Sequence, residues 1–252
     1  MGQALRKPKI ISIARREGMV TVESLVAHFG VTPQTIRRDL AELATDGSLE
    51  RVHGGAILPS TTANIGYNER RGLNMASKTE IARKCAAAIP NDCSVFLNIG
   101  TTTEAVATEL LKHEGLLVVT NNLNVAFILS QSASIEVVVT GGNLRRSDGG
   151  LVGNLATEVI NQFRFDIGVI GCSALHQNGD ILDFDIREVG VSKSIIRQSE
   201  TVFLVADGSK FERKAPARIG SLSQVDAFFT DLPIPKPCED LCRSSGTRVE
   251  RT

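Results

Sequence analysis

The chain has 252 residues, 28 Lys and Arg against 28 Asp and Glu, a formal net charge of zero at pH 7, and 42% hydrophobic residues. That is enough apolar material for a sizeable core in two domains, while no apolar run is long enough to span a membrane. The basic N-terminus lacks a signal-peptide hydrophobic region, so the cytoplasm is the expected location. Five scattered cysteines (Cys85, Cys93, Cys172, Cys238, Cys242) are odd in number and do not suggest a disulfide framework. Cys238 and Cys242 lack the second Cys/His pair of a metal site, so no metal or cofactor is expected.

In chain order, Ile10, Ile11, Ile13 and Ala14 predict a first helix ending near Gly18. Thr21 is placed to cap a second, in which Val22, Leu25, Val26 and Phe29 repeat at helical spacing and Gly30 lets the chain turn. Thr32 and Pro33 then start a third helix, whose Ile36, Leu40 and Leu43 form an apolar stripe. Gln34, Arg37, Arg38 and Ala41 fall largely on other faces. Residues 49–53 and 56–58 flank Gly54 and Gly55, a pair able to adopt the positive φ of a tight hairpin turn. The ensemble reads as a winged helix-turn-helix over residues 1–58. Gln34, Thr35, Arg37 and Arg38 are the expected contacts to double-stranded operator DNA, with Arg51 and His53 from the wing. This head carries eight basic and six acidic residues, so useful affinity calls for two heads on one site and hence an oligomer.

Residues 59–75 open with a polar stretch that has little to bury and read as a linker. Residues 76–252 follow as an effector and oligomerisation domain. Ser77-Lys78-Thr79-Glu80 has the form of a capping box before a stripe of Ile81, Cys85 and Ile89, in a helix running to about Pro90. Apolar runs at 95–99, 117–120, 135–139, 167–170, 202–206 and 227–230, separated by helical segments, predict an α/β domain with a mostly parallel sheet. In such sheets ligands bind beyond the carboxyl ends of the strands. Gly100, Thr101, Thr102 and Thr103, leading into a helix, either converge on an anion or form a simple threonine-capped turn. Asn121, Asn122, Gly141, Gly142, Arg145, Asp183 and Lys210 occupy other strand ends. Lys210 suits a phosphate, and Asp183 or Asp185 suits hydroxyl groups. The plainer reading of Arg146, Asp148 and Asp185 is solvated loop charge, and of His113 and His176 surface or loop histidine.

The run TPQTIRRDL from Thr32 with HGGA from His53 resembles the signature of the DeoR-type bacterial repressors. So do NIGTTTEAVA from Asn98, TNNLNVA from Thr120, GGNLRRSDGGLVG from Gly141, DFDIREV from Asp183 and DGSKF from Asp207. The resemblance implies an effector domain like ribose-5-phosphate isomerase, with phosphate contact around Gly100, Thr101, Thr102 and Lys210. It implies a homodimeric or homotetrameric repressor of sugar or glycerol catabolism, released from DNA by a phosphorylated sugar or polyol, glycerol-3-phosphate by overall similarity. Asn98, the run from Cys172 to His176, and the run from Glu212 to Pro216 depart from the family's usual wording. The alternative is a sugar-phosphate isomerase with a DNA-binding head, drawing on Asp183, Asp185, Glu188 and Lys193. The spacing fixes no acid–base pair, so a non-enzymatic regulator is expected.

Overall fold

The computed structural model describes residues 3–17, 19–45, 48–52, 54–57 and 66–252. The chain divides into two compact units, residues 1–60 and 61–252.

In the first unit, α1 (Gln3–Glu17), α2 (Val22–Phe29) and α3 (Pro33–Thr45) enclose Ile10, Ala14, Leu25, Ile36, Leu40 and Leu43. The expected stripe of α3 is thus the buried one. Thr21 caps α2 reciprocally: its hydroxyl accepts from the Ser24 N–H at 3.0 Å, and the Ser24 hydroxyl accepts from the Thr21 N–H at 3.2 Å. Gly30, at φ 62°, ends that helix. The Thr32 hydroxyl accepts from the Thr35 N–H at 3.3 Å and so holds the start of α3.

Three short strands, β1 (Met19–Thr21), β2 (Glu50–Val52) and β3 (Gly55–Ile57), pair antiparallel in the order β1-β3-β2. The hairpin between β2 and β3 is the expected wing, but its two glycines do different jobs. Gly54 takes the positive φ (79°) that the turn demands. Gly55 does not; a Cβ there would lie 2.0 Å from the Val20 carbonyl oxygen, so it permits the close approach of β1 to β3. Leu58 and the polar stretch 59–65 lie outside the described residues.

The second unit begins with α4 (Tyr67–Gly72) and α5 (Met75–Ala87). Both correct the sequence reading. A helix occupies part of the span expected to be linker, and α5 starts two residues before Ser77, after an Asn74 held at φ 51°. No side chain caps α5, and the Thr79 hydroxyl bonds back to the Met75 carbonyl instead. Ile81, Cys85 and Ile89 are buried as expected.

The remaining elements are β4 (Ser94–Leu97), α6 (Thr101–Leu110), β5 (Leu116–Thr120), α7 (Leu123–Leu129), β6 (Ile135–Val139), β7 (Asn143–Arg145), β8 (Gly150–Val152), α8 (Asn154–Ile160) and β9 (Phe165–Ile170). They continue with β10 (Ala174–Leu175), β11 (Asp180–Asp183), α9 (Ile186–Gln198), β12 (Ser199–Val205), β13 (Ala217–Ser221), β14 (Ala227–Thr230), α10 (Lys236–Ser245) and β15 (Arg248–Arg251). Seven strands form one parallel sheet in the order β15-β14-β12-β9-β4-β5-β6. All six predicted runs are in it.

Because side chains alternate along a strand, each run feeds two cores. Val95, Leu97, Val118, Val169, Phe203 and Phe229 face α5, α6 and α7, whereas Phe96, Val119, Ile170, Leu204 and Phe228 pack with residues of α8, α9 and α10. The direction of winding reverses between β4 and β9, which leaves a crevice at their carboxyl ends. Gly171 sits there, its Cβ direction 3.8 Å from the Ile99 carbonyl oxygen and 3.9 Å from that of Val205. The ends of β4, β9 and β12 therefore meet. Two smaller sheets, β7-β8 and β10-β11-β13, complete the unit. No described helix is long and apolar enough to cross a membrane.

Candidate functional site

On the first unit the expected DNA face is an exposed one. Gln34, Arg37 and Arg38 are exposed and Thr35 is half-buried, its hydroxyl 2.9 Å from that of Thr32. These four residues of α3 line a concavity of about 360 Å³. Arg37 also lines a neighbouring concavity of about 570 Å³, which it shares with Pro33, Glu23 of α2, and Arg51, Gly54 and Gly55 of the wing. Helix and wing thus present guanidinium groups to one surface. His53 lies outside the described residues.

The seat of α3 rests on a pair that sequence reading missed. Asp39, fully buried, accepts from the Arg6 guanidinium of α1, which is 4% exposed. That hydrogen bond, with the Asp39 charge, holds the Arg6 pKa above its ordinary value, against the opposing effect of burial. One residue along, Lys7 and Glu42 form a more exposed ion pair at 2.6 Å.

On the second unit, polar groups gather at the strand ends. A cavity of about 400 Å³ is lined by Tyr67 and Arg70 of α4, Arg145 and Asp148 of the β7–β8 hairpin, and the run from Asp183 to Ile186. Arg145 is its hub: it meets Asp148 at 2.7 Å, Asp185 at 3.2 Å and Glu188 at 2.6 Å. Asp148, only 3% exposed, also accepts from Arg70 at 3.2 Å, which corrects its reading as solvated loop charge. Asp183 accepts from the Ser173 hydroxyl at 2.8 Å and from the Phe184 N–H at 2.7 Å. Burial, followed by the Asp183 charge, pushes the Glu188 carboxyl up to about 8, despite its bond to Arg145. Carboxylates outnumber the cations that serve them on this side, and Glu188, buried and beside Asp183, shows the effect. The hydrogen bond from Arg187 holds Asp185 down to about 2.

Around Lys210 the balance inverts. Lys210, in the short helix Gly208–Glu212 after β12, feels the charges of Arg213, Asp207 and Arg70. Lys78 of α5 feels Lys210, Asp207, Arg213 and Arg70, and its ammonium donates to the Arg70 carbonyl. Burial above all, then neighbouring positive charge, pushes each lysine down to about 8. Asp207 acts as counter-ion: burial alone would raise it, but Lys210, Ser209 and Asn74 hold it below the ordinary carboxylate range. Cys172 adjoins this cluster, and burial pushes its thiol up to about 12, so it stays protonated.

Of the residues expected from sequence, Arg145 and Asp183 line the cavity and Lys210 stands in the basic cluster. Gly100 turns the chain into α6 at φ 153°, and no side chain caps the first-turn N–H groups of that helix. Thr101 is half-buried and Thr102 is buried. The Thr103 hydroxyl is internal, 2.7 Å from the carbonyl oxygens of Asn98 and Gly100. Asn121 is fully buried and donates to the Leu151 carbonyl at 3.0 Å. Gly141 (φ 71°) and Gly142 (φ 117°) stand apart from the cavity lining, and a Cβ on Gly142 would meet the Val152 carbonyl oxygen at 2.9 Å. Asn98, an expected departure, is structural: it accepts from the Ile99 N–H at 2.7 Å and donates to Ser192 at 2.9 Å. Tyr67 and Arg70 lie in no motif that marks them as binding groups; Lys78 stands in sequence only as part of a capping-box pattern, Arg213 only in an atypical run, and Glu188 only in the DFDIREV block and the isomerase alternative.

Residues 6–62 match the DeoR-like helix-turn-helix domain, and residues 73–232 match the DeoR C-terminal sensor domain. The chain is 46% identical over 235 residues to the glycerol-3-phosphate regulon repressor of Escherichia coli (strain K12), which covers 93% of each chain. It is 47% identical over 234 residues to the protein of that name from Haemophilus influenzae, covering 92% of this chain and 91% of the other. Among solved structures it is similar to ribose 5-phosphate isomerase A from Neisseria gonorrhoeae, with a TM-score of 0.40, 15% identity, and 53% and 52% of the two chains covered. The chain belongs to the DeoR family of DNA-binding transcriptional repressors with a C-terminal sensor domain, which are regulators and not enzymes.

Proposed function

We propose that this protein represses genes of glycerol or sugar-phosphate catabolism and leaves its operator when a phosphorylated polyol, glycerol-3-phosphate, fills the strand-end crevice of a sensor domain of ribose-5-phosphate isomerase-like topology. The observation that carries this reading is the gathering of Lys210 and Lys78 near Arg70, which itself lines a carboxylate-rich cavity, in a chain closely similar to glycerol-3-phosphate regulon repressors. A phosphate monoester matches the first side, and hydroxyl groups match Asp183, Asp185 and the Arg145 cluster on the second. The uncapped N-terminal turn of α6, from Gly100 through Thr102, adds N–H donors to the phosphate side.

Residues 1–58 form the DNA-binding domain in this reading, with Gln34, Thr35, Arg37, Arg38 and Arg51 on the operator, and the unit from residue 76 onward senses and assembles. A head with an excess of only two positive charges holds DNA through pairing, so the functional species is at least a dimer in the cytoplasm. The effector induces release because it prefers the conformation whose paired heads are mis-spaced for DNA.

Calorimetry on the full chain with glycerol-3-phosphate, glycerol and inorganic phosphate tests the effector chemistry. Glycerol-3-phosphate is expected to bind at least about tenfold more tightly than glycerol, the worth of one charge-assisted contact. Equal affinities would remove phosphate recognition from the reading.

A further inference from the structure

The segment Tyr67–Lys78 is anchored unlike the rest of its unit. Within α4 no described side chain is buried, and the first buried apolar residue after it is Leu73. Its tethers are polar: Tyr67 donates to Glu104 at 2.8 Å and accepts from Asn124 at 3.1 Å, Arg70 donates to Asp148 at 3.2 Å, and Asn74 donates to Asp207 at 3.0 Å. Each tether ends on a residue of the crevice or beside it. Such a segment opens at low free energy, because little apolar contact is lost when it lifts.

Seated, it delivers two cations to the crevice. Arg70 and Lys78 are brought beside Lys210 and Arg213, with Asp207 as their shared carboxylate and Asp148 serving Arg70 from the far side. Like charges held together in a half-buried site repel one another, so the seated state lacks negative charge. A dianion supplies it. Any ligand that gains from Arg70 and Lys78 only when the segment is down shifts the segment toward the seated state.

We propose that Tyr67–Lys78 is a clasp read by the effector: a phosphate monoester held by Lys210 is gripped from its other side by Arg70 and Lys78, and this grip carries occupancy into the chain that leads back to the DNA-binding unit. The proposal rests on the phosphorylated-effector reading above and adds to it the residues that turn binding into a signal.

The chain contains one tyrosine and no tryptophan, so its tyrosine emission reports α4 alone. The experiment uses full-length protein with glycerol-3-phosphate as probe and follows three quantities: binding by calorimetry, Tyr67 emission, and amide exchange of residues 66–78. Saturating probe is expected to change Tyr67 emission and to slow exchange across 66–78 roughly tenfold or more, and Arg70→Gln is expected to weaken binding roughly ten- to hundredfold, the worth of one charge-assisted hydrogen bond. Lys78→Gln serves as a second variant, and unchanged exchange in β4 and β9 certifies that each variant is folded.

If the probe binds the parent while emission and exchange at 66–78 stay put, and both variants bind within about threefold of the parent, the clasp is overturned and the effector reading stands. If neither glycerol-3-phosphate nor inorganic phosphate binds the parent, the effector reading falls and takes the clasp with it.

Discussion

Removing the Asp39 carboxylate tests how the reading helix is held. Asp39 is fully buried and Arg6 is 4% exposed, so Asp39→Ala takes from the Arg6 guanidinium the buried carboxylate that accepts its hydrogen bond. Breaking a buried pair from one side costs about 3–5 kcal/mol. The neighbouring pair Lys7–Glu42 links the same two helices but is 28% and 42% exposed, so Glu42→Ala is expected to cost about 0–1 kcal/mol. The joint replacement Arg6→Met with Asp39→Leu removes both charges of the pair and is expected to cost less than Asp39→Ala alone, because neither charge of this pair is left facing an apolar partner. Amide exchange at Leu40 to Leu43 in the full-length protein reads these differences locally. At about 1.4 kcal/mol per factor of ten, Asp39→Ala should speed exchange by roughly two to three orders of magnitude, up to the limit set by the head's own stability. An acceleration below about tenfold, or one equal to that of Glu42→Ala, would refute the claim that this pair anchors α3.

Three further outcomes follow from the same geometry. Arg38→Ala should weaken operator binding and reduce the slope of log affinity against log salt by about 0.9, one phosphate contact's worth; an unchanged slope would show that Arg38 does not face the backbone of DNA. Gly55→Ala should destabilise the head by about 1–3 kcal/mol, since its methyl group would sit 2.0 Å from the Val20 carbonyl oxygen, and a melting curve for the head that matches the parent's would contradict the close approach of β1 and β3. Effector affinity should depend on pH in a definite direction. Lys78 and Lys210 lose protons near pH 8 in the free protein, and a bound dianion favours their charged forms. Binding therefore takes up protons at pH 8 and weakens as the pH rises further, and it also weakens below about pH 6 as the phosphate becomes a monoanion. Calorimetry at pH 8 on Glu188→Gln protein, which removes the other group titrating there, in buffers of different ionisation enthalpy that detected no proton uptake would rule out both lysines as phosphate ligands.

Much of the architecture is written locally. Thr21, Gly30 and Thr32 mark helix ends because caps act over three or four residues, and the strands of the large sheet stand out because burial on both faces demands unbroken apolar runs. The crevice follows from where those strands end. Its composition is another matter. Tyr67, Arg70 and Asn74 sit in a mostly polar segment whose buried apolar residue is Leu73, and it reads as linker until Glu104, Asp148 and Asp207, lying 37, 78 and 133 residues further on, are brought against them. Asp148 was indistinguishable from a solvated loop charge for the same reason: its burial comes from Arg70 and Arg145 closing over it. Thr103 erred in the opposite direction, since a Gly-Thr turn offers a hydroxyl in sequence that the fold spends on its own carbonyl groups. The edge strand β15 escaped because Arg248-Val249-Glu250-Arg251 needs only one neighbour and carries mostly charged residues.

The central claim is that one phosphorylated ligand and one operator compete through a single equilibrium. The measurement that tests it most directly is the affinity of glycerol-3-phosphate for the full-length protein, free and saturated with a duplex that the protein itself has selected from a random pool, at one fixed salt concentration. Linkage requires that the factor by which DNA weakens effector binding equal the factor by which the effector weakens DNA binding, typically about 5–150-fold for coupled sites. Equal weakening in both directions within that range is the predicted result; a ligand that occupies the crevice with the same affinity on free and DNA-bound protein would contradict it.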